Sequence, residues 1–235
     1  ITETFTDSVE AHKIADVEVG CFLSSGVDSS YVVKEVSKVT KDVKTFSVGY
    51  EAGKYSELPY AQDFSRVVGV QNISNTISAD DFFGMASKIQ YYMDEPLPNP
   101  SEIPLYFLAK NAAKYVKVVL SGEGADELFG GYPMYLAGGH FAEYSKIPRP
   151  LRKMAGGIAR RLPEFKGKHF MVRGAMEPWQ RFMRCNYVFH WQERQKYLKK
   201  TYPKAGDPAL LTKGLFDRVK DLDEPTQLQY VDMHS

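Results

Sequence analysis

The stretch Asp16-Val17-Glu18-Val19-Gly20-Cys21-Phe22-Leu23, followed by Ser24-Ser25-Gly26-Val27-Asp28-Ser29-Ser30, decides the fold. A short apolar run stops abruptly at small, hydroxyl-bearing residues. Residues 31–39 then carry Val32, Val33, Val36 and Val39 at helical spacing, although their β-branched side chains favour a helix less than unbranched ones would. A strand that enters such a turn and leaves as a helix makes an anion site. Small side chains let backbone N–H groups converge, the helix dipole adds partial positive charge, and serine hydroxyls donate further hydrogen bonds. Asp28 is the odd member, because a bare carboxylate repels phosphate; a Mg²⁺ between the two resolves the conflict. Taken alone, the string also reads as an ordinary N-cap and turn.

Outward from this stretch the chain keeps a strand–helix rhythm. Residues 44–50 (KTFSVGY) and 72–77 read as strands, and 57–68, 80–93 and 101–115 as helices, the last two separated by the proline-rich DEPLPNP. Residues 116–120 (VKVVL) read as a strand of the buried, parallel-sheet kind. The alternation predicts an α/β fold with a doubly wound, mostly parallel sheet that takes ligands at the C-terminal ends of its strands. After Gly139 the sequence turns to helices, aromatics and charge, so two regions are expected: an α/β domain at 1–139 and a helical extension at 140–235.

A second unusual loop follows the last of those strands: Ser121-Gly122-Glu123-Gly124-Ala125-Asp126-Glu127-Leu128-Phe129-Gly130-Gly131-Tyr132. Its glycines permit close backbone approach to a ligand, and Asp126 or Glu127 completes a Mg²⁺ shell begun by Asp28. An acidic glycine-rich surface turn would explain the glycines. It does not explain why the turn follows an apolar strand in a sheet whose other special loop wants a counter-ion.

Other chemistries lack their residues. The sequence holds no GxxxxGK[ST], HExxH or GxSxG, and its nearest approach to GxGxxG has Glu127 in place of the third glycine. Cys21 and Cys185 stand far apart in no CxxC pattern, and the five histidines are scattered. With 235 residues, 43% hydrophobic and 25% charged, the chain has material for a real core. Thirty bases against 29 acids give no global case for nucleic acid or membrane, and the mean hydropathy of −0.36 accompanies no apolar run of spanning length. The expected setting is cytoplasmic. The chain opens at Ile1 without Met and stops in a polar stretch at Ser235, which suggests a cropped sequence. Residues 146–173 hold nine bases and the single acid Glu164; with few interleaved aromatics they read as a solvated helical segment ahead of a phosphate- or RNA-binding patch. Trp179, Phe182, Tyr187, Phe189 and Trp191 read as the packing of a helical subdomain.

SSGVDSS resembles the PP-loop (SGGxDS) of the N-type ATP pyrophosphatases, and SGEGADELFGGY is similar to the second signature of their asparagine synthetase branch. ADVEVGCFLSSGVDSS, TFSVGY, DEPLPNPSEIPLYFLAK and VKVVLSGEGADELFGGY fall in that family's order and spacing, over about residues 15–135. The resemblance implies an adenine nucleotide alpha hydrolase-like fold. It also implies a reaction in which MgATP adenylates the aspartate side-chain carboxylate, releasing pyrophosphate, and ammonia converts the adenylate to asparagine and AMP. By match to the motifs, Ser24, Ser25, Gly26, Asp28 and Ser29 would hold the pyrophosphate portion, and Asp28 and Asp126 would bind Mg²⁺. Leu23 and Val48 would frame the adenosine, with Ser121 and Gly122 against it. Glu123 matches a glutamate near the reacting carboxylate, which makes Asp28, Glu123 and Asp126 the candidate catalytic set.

Two departures qualify the match. Ser25 stands where the family has a second glycine, which a serine can replace if the turn needs no positive φ. The N-terminal glutaminase half that would supply ammonia is not in this sequence, nor is the later part of the synthetase domain with its transition-state lysine. A chain that binds ATP but turns over poorly alone is therefore expected. Other readings are an adenylating, amide-forming relative acting on another acid, as in β-lactam synthetase-like enzymes, and a non-catalytic ATP-binding module. Sulfur-inserting PP-loop enzymes of tRNA fit less well, for want of cysteines and an RNA surface. A homodimer remains open.

Overall fold

The protein is described by a computed structural model that covers residues 1–51, 53, 56–94, 99–185, 197 and 207–235. It divides into two compact units, Ile1–Glu123 and Gly124–Ser235, a boundary that falls inside the second glycine-rich loop.

The first unit is built on a four-stranded, wholly parallel sheet: β1 (Val19–Phe22), β2 (Lys44–Tyr50), β3 (Gln71–Ile77) and β4 (Val118–Leu120), in the order β3-β2-β1-β4. Helices α2 (Val27–Val39), α3 (Leu58–Val68), α4 (Ala79–Tyr92) and α5 (Glu102–Ala112) connect them, as parallel pairing requires. The alternation of strand side chains sends successive residues to opposite faces, and both faces are covered. Cys21 and Leu23 are buried with Val32, Val33, Val36, Val43 and Ala61, while Phe46 on the other face is buried with Ala112 and Val116. The doubly wound α/β sheet expected from the sequence is thus present, with strand bounds within three residues of those expected. Cys21 is fully buried, and burial pushes its thiol up to about 12, so it behaves as a small hydrophobe.

Two local differences have physical reasons. The segment expected as a buried five-residue strand at 116–120 pairs over three residues, each half-buried, because β4 lies at an edge of the sheet. An amphipathic helix not anticipated from the sequence, α1 (Thr2–His12), precedes the sheet; Val9 is buried and Phe5 packs against the same core. It is tied to α2 by Glu35, 1% exposed, whose carboxylate accepts from the Thr6 hydroxyl at 2.8 Å and from Lys38 Nζ at 2.6 Å.

The second unit is helical: α6 (Ala125–Phe129), α7 (Pro133–Ser145), α8 (Arg149–Arg161), α9 (Lys168–Gly174), α10 (Pro178–Cys185), α11 (Ala209–Arg218) and α12 (Glu224–Asp232) among the described residues. Tyr135, Phe182, Phe216, Leu228 and Val231 form its core, with Trp179 packed against them; Tyr187, Phe189 and Trp191 lie outside the described residues. Arg181 and Glu224 form a buried ion pair at 2.5 Å, with the guanidinium 4.7 Å from the Phe141 ring centroid. The basic segment 146–173 is a pair of packed helices, several of whose cations are engaged in holding it. Arg152 donates to the Gly174 carbonyl at 2.8 Å, Arg149 pairs with Glu177 at 2.7 Å, and Lys168 bonds the Leu162 carbonyl and Glu164 at 2.8 and 2.9 Å.

The Lys38 and Thr6 hydrogen bonds hold the Glu35 carboxyl below its usual value of 4.5, Lys38 contributing most. A depressed native pKa gives stability that is complete above the unfolded value and lost as pH falls through the folded one. The stability difference between the parent chain and Glu35→Gln, from urea unfolding, is therefore expected to be full at pH 7 and to shrink below about 4.5. A difference independent of pH contradicts this account.

Candidate functional site

Strand order reverses at β1, with β2 on one side and β4 on the other. This is the switch point of the sheet, where the loops leaving adjacent strands diverge and open a crevice. The register pairs Cys21 with Leu120, so the serine-rich loop and Ser121-Gly122-Glu123 leave the sheet at the same level.

The serine-rich loop is organised by its own hydroxyls. Ser24 Oγ and Ser29 Oγ are 2.9 Å apart, the Ser24 N–H donates to Ser29 Oγ at 3.2 Å, and the Gly26 N–H donates to Ser24 Oγ at 3.0 Å. The helix begins at Val27, earlier than the valine spacing indicated, with Gly26 as N-cap. The N–H groups of Val27, Asp28 and Ser29 therefore lie in the first turn of α2, which leaves them without intrahelical acceptors. Ser25 has no positive φ, so serine fits where the resembling family has glycine. Ser24, Ser25 and Gly26 are exposed, and Asp28 and Ser29 half-buried.

Gly122 seats the second loop against the first. A Cβ at this position would lie 2.8 Å from the Ser29 nitrogen and 3.0 Å from both the Asp28 carbonyl carbon and Asp28 Cβ. A hydrogen here leaves the first turn of α2 undisturbed; a methyl group would push on backbone. Ser121 Oγ accepts from the Glu123 N–H at 3.1 Å and so tightens the turn. Leu23 belongs to the core, its carbonyl accepting from Ser47 Oγ at 2.6 Å, and Val48, next along β2, is half-buried.

Beyond Glu123 the motif continues in the second unit. Gly124 has φ +85 and caps the short helix α6, which carries Asp126 and Glu127. Glu127 accepts from the Tyr132 hydroxyl at 2.8 Å, a bond that pushes the phenol up to about 12. Gln229 on α12 donates to the carbonyls of Glu127 and Leu128 at 2.8 and 2.7 Å and satisfies the end of α6.

The residues fit the groups that the motifs imply. The Gly122 approach seats the turn after β4 directly on the first turn of α2, and the serine hydroxyls and helix amides suit phosphate oxygens. For Mg²⁺ the donors would be hard carboxylate oxygens, those of Asp28 in the first unit and of Asp126 in the second. The sequence named no role for Glu57, which it placed only at the start of a helix. Its carboxylate accepts the Ser25 N–H at 3.2 Å, and no motif letter signals a contact between segments 32 residues apart.

The family model for asparagine synthase matches residues 1–235. The chain belongs to the asparagine synthase family. It is 37% identical over 236 residues to asparagine synthetase (glutamine-hydrolysing) 1 of Bacillus subtilis, an alignment covering all of this chain and 37% of that protein. A Mycobacterium bovis protein provisionally given the same activity is 41% identical over 177 residues, covering 75% of this chain and 27% of the relative. Asparagine synthetase B of Escherichia coli is 26% identical over 149 residues, covering 56% and 26%. The matched part of the chain therefore spans between 26% and 37% of the length of these curated relatives. Among solved structures, the NH3-dependent NAD synthetase of Campylobacter jejuni covers 97% of this chain and 94% of its own, with TM-score 0.39 and 14% identity.

The two loop glycines should each resist alanine, for different reasons. Gly122→Ala is expected to destabilise the chain by ~1–3 kcal/mol through overpacking. Gly124→Ala, with open space around it, should cost ~1–2 kcal/mol from the left-handed backbone alone. Urea unfolding of both variants checks this, and a neutral Gly122→Ala would contradict the close approach.

Proposed function

We propose that this chain is the ATP-dependent synthetase portion of a glutamine-hydrolysing asparagine synthetase. In this reading it adenylates the side-chain carboxylate of aspartate, releasing pyrophosphate, and ammonia from a separate glutaminase domain then gives asparagine and AMP. The observation that carries it is the seating of Gly122 on the Asp28–Ser29 backbone at the switch point of the sheet. That contact brings together the two loops whose sequences match the family, at the place where such sheets bind ligands.

The roles follow from the chemistry of the groups. The first-turn amides of α2 and the hydroxyls of Ser24 and Ser29, with Ser25, Gly26 and Asp28, take the pyrophosphate portion of ATP. These are fixed dipoles aimed at charge that grows as the leaving group departs. Leu23 and Val48 frame the adenosine, and Ser121 and Gly122 lie against it. Glu123 acts near the reacting carboxylate in the ammonia step. Asp28 and Asp126 would hold Mg²⁺, which when bound would supply positive charge against the phosphates. The setting proposed is the cytoplasm; among the described residues no helix is long and apolar enough to cross a membrane.

The reaction is tested by ATP–pyrophosphate exchange with Mg²⁺, comparing L-aspartate with other carboxylic acids, on this chain and on the full-length enzyme. Exchange that depends on aspartate supports the reading, and exchange with another acid replaces the substrate. No response to any acid in either protein contradicts adenylation. Asp126→Ala is expected to abolish Mg²⁺-dependent ATP binding while leaving the circular-dichroism spectrum unchanged. Unaltered affinity in that variant removes Asp126 from the site.

A further inference from the structure

We infer that Glu57 is a positioning residue for the serine-rich loop, its carboxylate holding the Ser25 amide so that the loop is already in the form that receives pyrophosphate. The inference rests on the nucleotide reading above and adds to it a residue from outside both signature loops.

The loop's amides divide into two groups. The Ser24 and Gly26 N–H groups are satisfied within the loop by Ser29 Oγ and Ser24 Oγ, and those of Val27, Asp28 and Ser29 lie in the open first turn of α2. The Ser25 N–H alone among them donates to another segment, at 3.2 Å to Glu57 Oε2. Ser25 is the residue at which the chain turns from β1 into α2, so an anchor there fixes the entry to the helix. The first-turn amides remain free for the ligand.

Glu57 is itself placed by the sheet. It is the N-cap residue of α3, where the positive end of the helix dipole favours a carboxylate, and its carbonyl accepts from Tyr60 and Ala61 at 3.1 and 3.2 Å. The start of α3 is pressed onto the end of β2, because a Cβ on Gly49 would lie 2.5 Å from Leu58 Cγ and would also strike Ser56. β2 is the neighbour of β1 in register, Phe22 opposite Phe46. Gly49 thus sets Leu58, Leu58 sets Glu57, and Glu57 sets Ser25.

A carboxylate beside a phosphate site has two other conceivable uses, as a competitor for the amides and as a metal ligand. Both would direct it at the first turn of α2, whereas its contact is to the amide preceding that turn. The three roles predict different variants. An anchor needs an acceptor at the right reach, so Glu57→Gln, which keeps a side-chain oxygen there, should retain function. Glu57→Asp keeps the negative charge at the start of α3 but falls a methylene short, and Glu57→Ala loses the acceptor.

The test is titration calorimetry of MgATP into this chain and the three variants, with thermal melting alongside. Loss of a hydrogen bond to a charged group predicts about tenfold weaker binding in Glu57→Ala and Glu57→Asp. Glu57→Gln should stay within about threefold of the parent, with all four melting midpoints within a few degrees. Unchanged affinity in Glu57→Ala overturns the inference. So does tighter binding in Glu57→Ala and Glu57→Gln, the mark of a competitor, or equal weakness of Gln and Ala, the mark of a required charge. A parent chain that binds no MgATP contradicts the nucleotide reading itself, and the inference falls with it; that outcome is distinct because it appears before any variant is compared.

Discussion

What the site can be depends on how closely two pieces of backbone approach. The first turn of α2 and the turn after β4 meet where Gly122 has no side chain, and a Cβ there would stand 2.8 Å from the Ser29 nitrogen. The sheet makes the meeting possible, because β1 and β4 run parallel in register and deliver their loops to one edge. Around this contact the remaining features are local solutions. Serine hydroxyls fold the loop on itself, and Glu57 ties it to the neighbouring strand–helix connection.

The sheet was readable because its signals are strong and redundant. Residues 44–50 are bounded as expected, since β-branched and aromatic residues there are followed by a glycine-bearing turn region. The glycine-rich loops were also legible, as small residues placed directly after apolar strands have few structural reasons to be there. Helix α1 was not legible. Its buried face amounts to Val9 and a partly buried Phe5, and the contact that fixes it, Thr6 to Glu35, joins polar residues that each read as solvated. The start of α2 at Val27 was hidden similarly, because its first turn carries Asp28, Ser29 and Ser30 in place of an apolar stripe.

Side-chain roles were less legible than backbone ones. Ser25 departs from the motif, and only the backbone shows that the departure is harmless. The Leu23 side chain lies in the core at 3% exposure, a placement that the motif letters do not carry. Glu57 carries no motif, and its part in the loop follows from a contact that pattern reading does not reach. The basic helices α8 and α9 illustrate the converse. A run of like charges suggests a binding surface, yet several of these cations are spent on carbonyls and carboxylates that hold the helix pair together.

The central claim is that the amides and hydroxyls of residues 24–29, backed by Gly122, form the cradle for a nucleotide's phosphates. Hydrogen–deuterium exchange of the chain, with and without inorganic pyrophosphate and Mg²⁺, tests it directly. The account predicts slower exchange in peptides covering 24–29 and 121–123, with β2 and β3 unaffected. Pyrophosphate binding that protects other segments and leaves these two loops unchanged would contradict it.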